Sequence, residues 1–430
     1  MPKKAAPTSA TIFTYQVGFG DCFLLRFTYP DQMRHVLIDF GTTGLPESTA
    51  KSQLLLIAKD IAEKCDGKLD AVVATHRHAD HISGFATSTK GNGAGDVIRA
   101  LKPKVVIQPW TEQLDLGKAA LEPKLGDQQG LRAHALAFSN MQKISEHLLE
   151  QLRLRPNAFS ARLSAQLRFI GEDNLTNASA VKNLASMGAK QIYTYHGGPS
   201  GLDSILPGVK THVLGPPTLK QTDTISKMTS KDKEEYWHIQ LRRLVSGSAL
   251  SDGEEPLFPG AATYPGGKLP MSARWLAYRM KEVHGEQMLQ IVRALDKQMN
   301  NTSLILLFQT ATKKLLFPGD AQIENWRFAL SNKKIASLLA DVDLYKVGHH
   351  GSLNATPRSM WSNFSKKGPA SKRGRLTTIL STMPNKHGDV GSNTEVPRTT
   401  LLKELNSQSA LHSTHKLAKA ALYEEIRIDF

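Results

Sequence analysis

The segment Thr75-His76-Arg77-His78-Ala79-Asp80-His81 constrains this chain more than any other stretch. Seven residues carry three histidines and one aspartate, directly behind the apolar run Ala71-Val72-Val73-Ala74. That order predicts a buried strand that ends in a loop of metal ligands. Imidazole nitrogen and carboxylate oxygen suit zinc, manganese or iron, and a hydrolytic site keeps one ligand position open for water. The competing reading is a polar surface loop that happens to contain histidines. The spacing behind a strand signal argues against it.

The segment resembles the H-x-H-x-D-H signature of the metallo-β-lactamase superfamily. The resemblance extends to Tyr15–Leu25 and Val36–Gly41, which look like the family's first strands, and to Phe317-Pro318-Gly319-Asp320-Ala321. It implies an α/β fold, the αββα sandwich, and two bound divalent cations, with zinc first and manganese or iron as alternatives. It assigns His76 and His78 to metal one, Asp80 and His81 to metal two, and Asp320 as a bridging ligand. Asp39 would orient the ligand loop, or else cap a turn. A narrower likeness lies in Lys346-Val347-Gly348-His349-His350-Gly351-Ser352. It is similar to the branch that holds the hydrolase domain of the bacterial DNA-uptake channel and a phosphorylcholine esterase.

Two ligands stay open on the sequence. The resemblance implies a last ligand of metal two at the exit of the final core strand, by strand order His387, with His349 and His350 at the rim near substrate. The alternative makes His349 or His350 the ligand and His387 a rim residue. For the third ligand of metal one, His196 ends a strand before Gly197-Gly198. Asn300 and Asn301 precede the next core strand instead, and the site then lacks a third histidine.

The chain has 430 residues and a net charge of +15 from 54 Lys and Arg against 39 Asp and Glu. That balance favours anionic partners, nucleic acid or a phosphate ester among them. The densest basic cluster, Lys366, Lys367, Lys372, Arg373 and Arg375, falls between His350 and His387 and is expected near the metal loops. The two cysteines, Cys22 and Cys65, have no disulfide or metal-type spacing, which suits a cytoplasmic protein. No run of about 18 apolar residues suggests a membrane span, and the polar N-terminus has no signal-peptide core. The oligomeric state is not legible.

Ligand motifs from His76 to His387 draw on both ends of the chain, so one catalytic domain is expected over residues 11–430, after a flexible tail at 1–10. Apolar residues at three- and four-residue steps from Leu131 to Leu152 predict helices in an insertion at about 111–190. A second insertion is expected at about 218–299. The resemblance implies a metal-activated hydroxide, with Asp80 orienting it and His349 or His350 contacting a phosphate or giving a proton to the leaving group. The expected function is a metal-dependent phosphodiesterase or nuclease. The alternatives are a small-molecule ester, lactone or phosphorylcholine-type hydrolase, or a catalytically weak binding subunit.

Overall fold

The computed structural model describes residues 5–46, 49–112, 153, 178–218, 221, 300, 302–352, 356–388, 395–418 and 421–430. The first half opens with strands β1 (Ser9–Tyr15), β2 (Cys22–Thr28) and β3 (Met33–Phe40), then helix α1 (Gln53–Lys64) and β4 (Ala71–Val73). The short α2 (Ala79–Ile82), α3 (Ala94–Ala100), β5 (Val105–Pro109), α4 (Ala178–Ser186) and β6 (Gln191–Thr194) follow. The second half runs β7 (Lys210–Gly215), β8 (Ile305–Gln309), β9 (Lys314–Phe317), α5 (Ile323–Ser331), α6 (Lys333–Ala340) and β10 (Leu344–Lys346). It closes with α7 (Arg358–Asn363), β11 (Thr377–Leu380), α8 (Thr399–Gln408), β12 (Ala410–Ser413) and β13 (Tyr423–Asp429).

Among the described residues the strands form two sheets, ordered β13-β1-β2-β3-β4-β5-β6 and β12-β11-β10-β9-β8-β7. Alternation explains how they stack. In β1 and β2, Ile12, Phe23 and Leu25 face one way, and Phe13, Cys22 and Leu24 face the other. The first set joins Leu306, Phe308, Leu315 and Phe317 of the second sheet in a core between the sheets. The second set packs against Ile57, Ile61, Ile98 and Leu184 of helices α1, α3 and α4. On the far side, Leu307, Leu316 and Tyr345 pack against Trp326, Leu339 and Trp361 of α5, α6 and α7. Helix, sheet, sheet, helix is the layering expected. Burying each such side chain contributes about 1.5–3 kcal/mol relative to leaving it in water.

Several expectations need adjustment. Ser9 and Ala10 are already in β1, fully buried between β2 and β13, so the flexible tail expected at 1–10 does not reach that far. β13 was not anticipated, although Tyr423–Asp429 alternates as an edge strand does. Of the expected insertions, 113–152, 154–177, 219–220 and 222–299 lie outside the described residues. The end of the first belongs to the core instead, because Ala180, Leu184 and Met187 pack under the first sheet. No helix among the described residues is long and apolar enough to cross a membrane.

β3, β4, β5 and β6 run parallel, as do β9, β10, β11 and β12. Their carboxyl ends therefore open on the same edge of each sheet, where open α/β sheets bind ligands. The basic loop falls at the other edge. Thr377 N donates to Asp343 O and Leu376 N to Lys366 O, which ties residues 366–376 to the amino ends of β10 and β11. Lys366 Nζ is spent on Asp343 at 2.7 Å, and Lys372 Nζ on the carbonyls of Ser365 and Lys367. Proximity in sequence to His350 misled here. A strand separates the loop before it from the loop after it.

Candidate metal centre

The ligand loop leaves β4 at Ala74 and is fixed from below by Asp39 at the end of β3. Asp39 Oδ1 accepts from Thr75 N and Oδ2 from Thr75 Oγ1, both at 2.7 Å, and Oδ2 lies 2.8 Å from His81 Nδ1. Asp39 holds this position at φ 55°, a left-handed conformation that a β-carbon disfavours. So Asp39 positions the loop, as the resemblance implied. Gly41 lets the loop close. A β-carbon there would meet Ala79 O at 2.5 Å. Gly319, at φ 54°, does the same from the second sheet, where a β-carbon would lie 2.8 Å from Thr75 Cβ. The second-half carboxylate Asp320 can approach the first-half histidines only because Gly319 carries no side chain.

Among the described residues three groups of ligand atoms have their atoms within 4.8 Å of one another: Asp21, Asp39 and His81 behind the loop, then His76, His78 and Asp80, and then Asp80, His81, Asp320 and His350. All six residues of the last two groups are buried. His76 Nε2 lies 2.9 Å from His78 Nδ1. His81 Nε2 lies 3.0 Å from Asp320 Oδ2 and 3.8 Å from Asp80 Oδ1. His350 Nε2 lies 2.8 Å from Asp80 Oδ2 and 3.8 Å from Asp320 Oδ2. Asp80, not Asp320, is common to the His76–His78 group and the His81–Asp320–His350 group.

Charge sorts the histidines. Burial, reinforced by the neighbouring imidazoles, drives His76 well below its usual pKa, and burial takes His78 down to about 4. Both are neutral at pH 7, the form that binds a metal. Burial also opposes charge on His81 and His350. The carboxylates overcome it, Asp320 foremost for both, and their pKa values rise. Burial pushes the Asp80 and Asp320 carboxyls up, yet the histidines around them, His81 foremost, hold both below the usual range.

The donor set fits divalent cations. Asp80 Oδ1 and Asp320 Oδ2 are buried and accept no well-formed hydrogen bond; what faces them is the His81 imidazole. Four imidazoles and two carboxylates with no thiolate suit zinc, manganese or iron. Nδ1 of His350 is held by Ser381 O at 3.0 Å, which aims Nε2 inward.

His387, expected as the last ligand of metal two, stands outside these groups. The Phe19 ring lies between it and the centre, 4.2 Å from the His387 ring and 4.4 Å from that of His350. On the β11 exit loop, His387 pairs with Val396. His196 also falls outside. Its Nδ1 lies 2.9 Å from Leu214 O and its ring packs on Phe328. His349 and His350 both have positive φ, and their side chains diverge. His350 turns inward, while His349 is 27 % exposed at the rim, with Nε2 3.9 Å from Asp320 Oδ2 and Nδ1 2.9 Å from Ser352 Oγ.

Residues 15–132 match the family model of the metallo-beta-lactamase superfamily. The match covers the ligand loop and strands β2 to β5 of the first sheet, and members of that superfamily are metal-dependent hydrolases that bind divalent cations. A search of curated proteins gave no match.

Two features escaped the sequence reading, and a third gains an environment. Arg77, between two ligands, turns away and pairs with the buried Glu112, Nε to Oε2 at 2.5 Å. Lys346 is 1 % exposed and forms an ion pair with Asp21 behind the ligands. Asn300, noted as a residue before β8, has a buried carboxamide with no hydrogen bond to either atom. Its carbonyl accepts from Ser303 N, and Ser303 Oγ accepts from Asp320 N at 3.3 Å. An unanswered amide this close to the centre suits a ligand or a bound water.

Proposed function

We propose that this protein is a dinuclear metal-dependent phosphodiesterase. The observation that carries the reading is the sharing of Asp80 by two adjacent buried ligand groups. His76 and His78 would hold one cation and His81, Asp320 and His350 the other, with Asp80 between them. When bound, two such cations supply a nucleophilic water at neutral pH and neutralise charge on the attacked group.

The chain's own residues supply the rest. Asp80 presents a carboxylate oxygen that can orient the attacking water. His349 stands at the rim beside Asp320, with Nδ1 engaged by Ser352, so its Nε2 faces the reacting group. It can hydrogen-bond a non-bridging phosphate oxygen or the departing one. Lys386, exposed on the β11 exit loop next to His387, adds a cation at the mouth. The likeness of Lys346–Ser352 to DNA-uptake hydrolases and the charge of +15 favour an anionic diester.

A second reading, a small-molecule ester hydrolase, is favoured by the basic loop standing at the opposite edge from the centre. Hydrolysis of single-stranded DNA, RNA and a chromogenic phosphodiester, with zinc or manganese and after chelation, separates the two. Turnover of the small diester with none of either nucleic acid supports the second reading. No turnover of any diester by metal-loaded protein overturns the first.

A further inference from the structure

Lys346 ends β10 pointing inward, where a lysine is costly. Its Nζ donates to Gly319 O at 3.2 Å, lies 3.5 Å from Asp320 Oδ1 and forms a close ion pair with the Asp21 carboxylate. The Phe23 ring closes the pocket, 5.9 Å from Nζ. Asp21 is itself fully buried, with its oxygens 3.8 Å from His81 Nδ1 and 3.6 Å from His350 Nδ1. The ammonium therefore stands behind the ligand set, away from the mouth, and touches no place a substrate could reach.

Its electrostatic setting is one-sided. Four buried carboxylates, Asp21, Asp39, Asp80 and Asp320, crowd around the centre. Burial alone would disfavour a charged lysine; the close ion pair with Asp21 and the approach of Asp320 Oδ1 to 3.5 Å compensate the ammonium. A permanent positive charge thus lies within reach of the same Asp320 that would bind metal. Like charge opposes an incoming cation, and opposite charge holds the carboxylates while none is there.

We infer that Lys346 is a resident cation, a positioning residue that keeps Asp21 and Asp320 in place before metal arrives and limits how tightly the second metal is then held. The inference rests on the two-metal reading. Lys346→Gln tests it, because glutamine keeps a donor for Gly319 O and removes the charge. Thermal unfolding of the full chain is followed after chelation and with zinc, and zinc affinity is read by competition with a chromogenic chelator. The metal-free midpoint is expected to fall by on the order of 5–10 °C. The zinc-loaded midpoint falls by less than half as much, since ligand binding to the native state offsets the loss. Zinc at the second site is expected to bind roughly tenfold tighter or more. Equal losses in both states, or unchanged zinc affinity, overturn the inference.

If Lys346→Gln does not fold, Asp21→Asn with Lys346→Gln removes the buried pair together. Tighter zinc in that protein supports the inference, and wild-type affinity overturns it. Wild-type protein that takes up no zinc, manganese or iron overturns the two-metal reading itself. A wild type that binds two ions while Lys346→Gln loses equally in both states sinks only the role of Lys346.

Discussion

His350 Nε2 lies 2.8 Å from Asp80 Oδ2, although 270 residues separate them in sequence. This contact joins the two halves of the chain at the centre and selects His350 over His387. His350→Ala removes an inward-facing donor from the group with Asp80, His81 and Asp320. His387→Ala removes a ring that packs on Phe19. Bound metal, measured by elemental analysis, is expected to fall from about two to about one per chain in His350→Ala. His387→Ala is expected to retain both ions. Metal loss in His387→Ala with full retention in His350→Ala would return the ligand role to His387.

Why His350 was not singled out from the sequence is a matter of strand geometry. The stretch Ala71–His81 is legible because strand, turn and ligands are contiguous, and one short loop carries its own meaning. His349, His350 and His387 each follow a strand end, so strand order alone leaves them equivalent. What separates them is the Phe19 ring, which arrives from the loop before β2. The same holds for the basic loop, whose distance from the centre follows from the parallel pairing of β10 and β11. Lys346 and Arg77 illustrate a further limit. A charged residue in a motif reads as a site residue or a surface one, and here each is buried against a carboxylate from elsewhere in the chain.

Arg77 and Glu112 make the second prediction. Their side chains are 7 % and 3 % exposed, and burial raises the Glu112 pKa against the opposing pull of Arg77. Removing one partner strands the other charge. Glu112→Ala is therefore expected to cost about 3–5 kcal/mol by urea unfolding. Because Arg77 lies between His76 and His78, metal one should also weaken. Glu112→Gln keeps an acceptor and should lose less. A Glu112→Ala protein as stable as wild type would show that the pair does not anchor the ligand loop.

His35 gives the pH dependence. It is 5 % exposed in β3, and its Nε2 accepts from Arg26 Nε at 3.2 Å. Burial first, then the Arg26 charge, takes its pKa down to about 4. The unfolded chain takes up the proton near pH 6.5, and the native state resists until about pH 4. Protons thus favour the unfolded state, and stability falls as pH drops through that window. The loss approaches about 3 kcal/mol at the lower end. His35→Gln retains an acceptor for Arg26 and cannot titrate. Urea midpoints at several pH values should show a flatter acid limb for this variant, and an unchanged limb would remove His35 as its source.

The last prediction concerns where an anionic substrate meets positive charge. Lys366 and Lys372 are engaged with Asp343 and with loop carbonyls at the amino ends of the strands. Lys386 instead lies beside His387 on the β11 exit loop, and its Nζ reaches over Gly44 near the mouth of the centre. On the proposed reading, a phosphate bound at the centre would have Lys386 and His349 on its rim. Lys386→Ala should raise KM for a phosphodiester by roughly tenfold, the worth of one charge-assisted hydrogen bond, with kcat little changed. If the substrate is nucleic acid, the salt slope of binding should also drop by about one contact, near 0.9 in log–log terms for duplex DNA. Neutralising Lys366, Lys372 and Arg373 together should leave KM and slope at wild-type values, because that loop stands at the far edge. The opposite pattern, with the triple variant losing affinity and Lys386→Ala unaffected, would place the substrate path on the far edge and undo the assignment of the mouth.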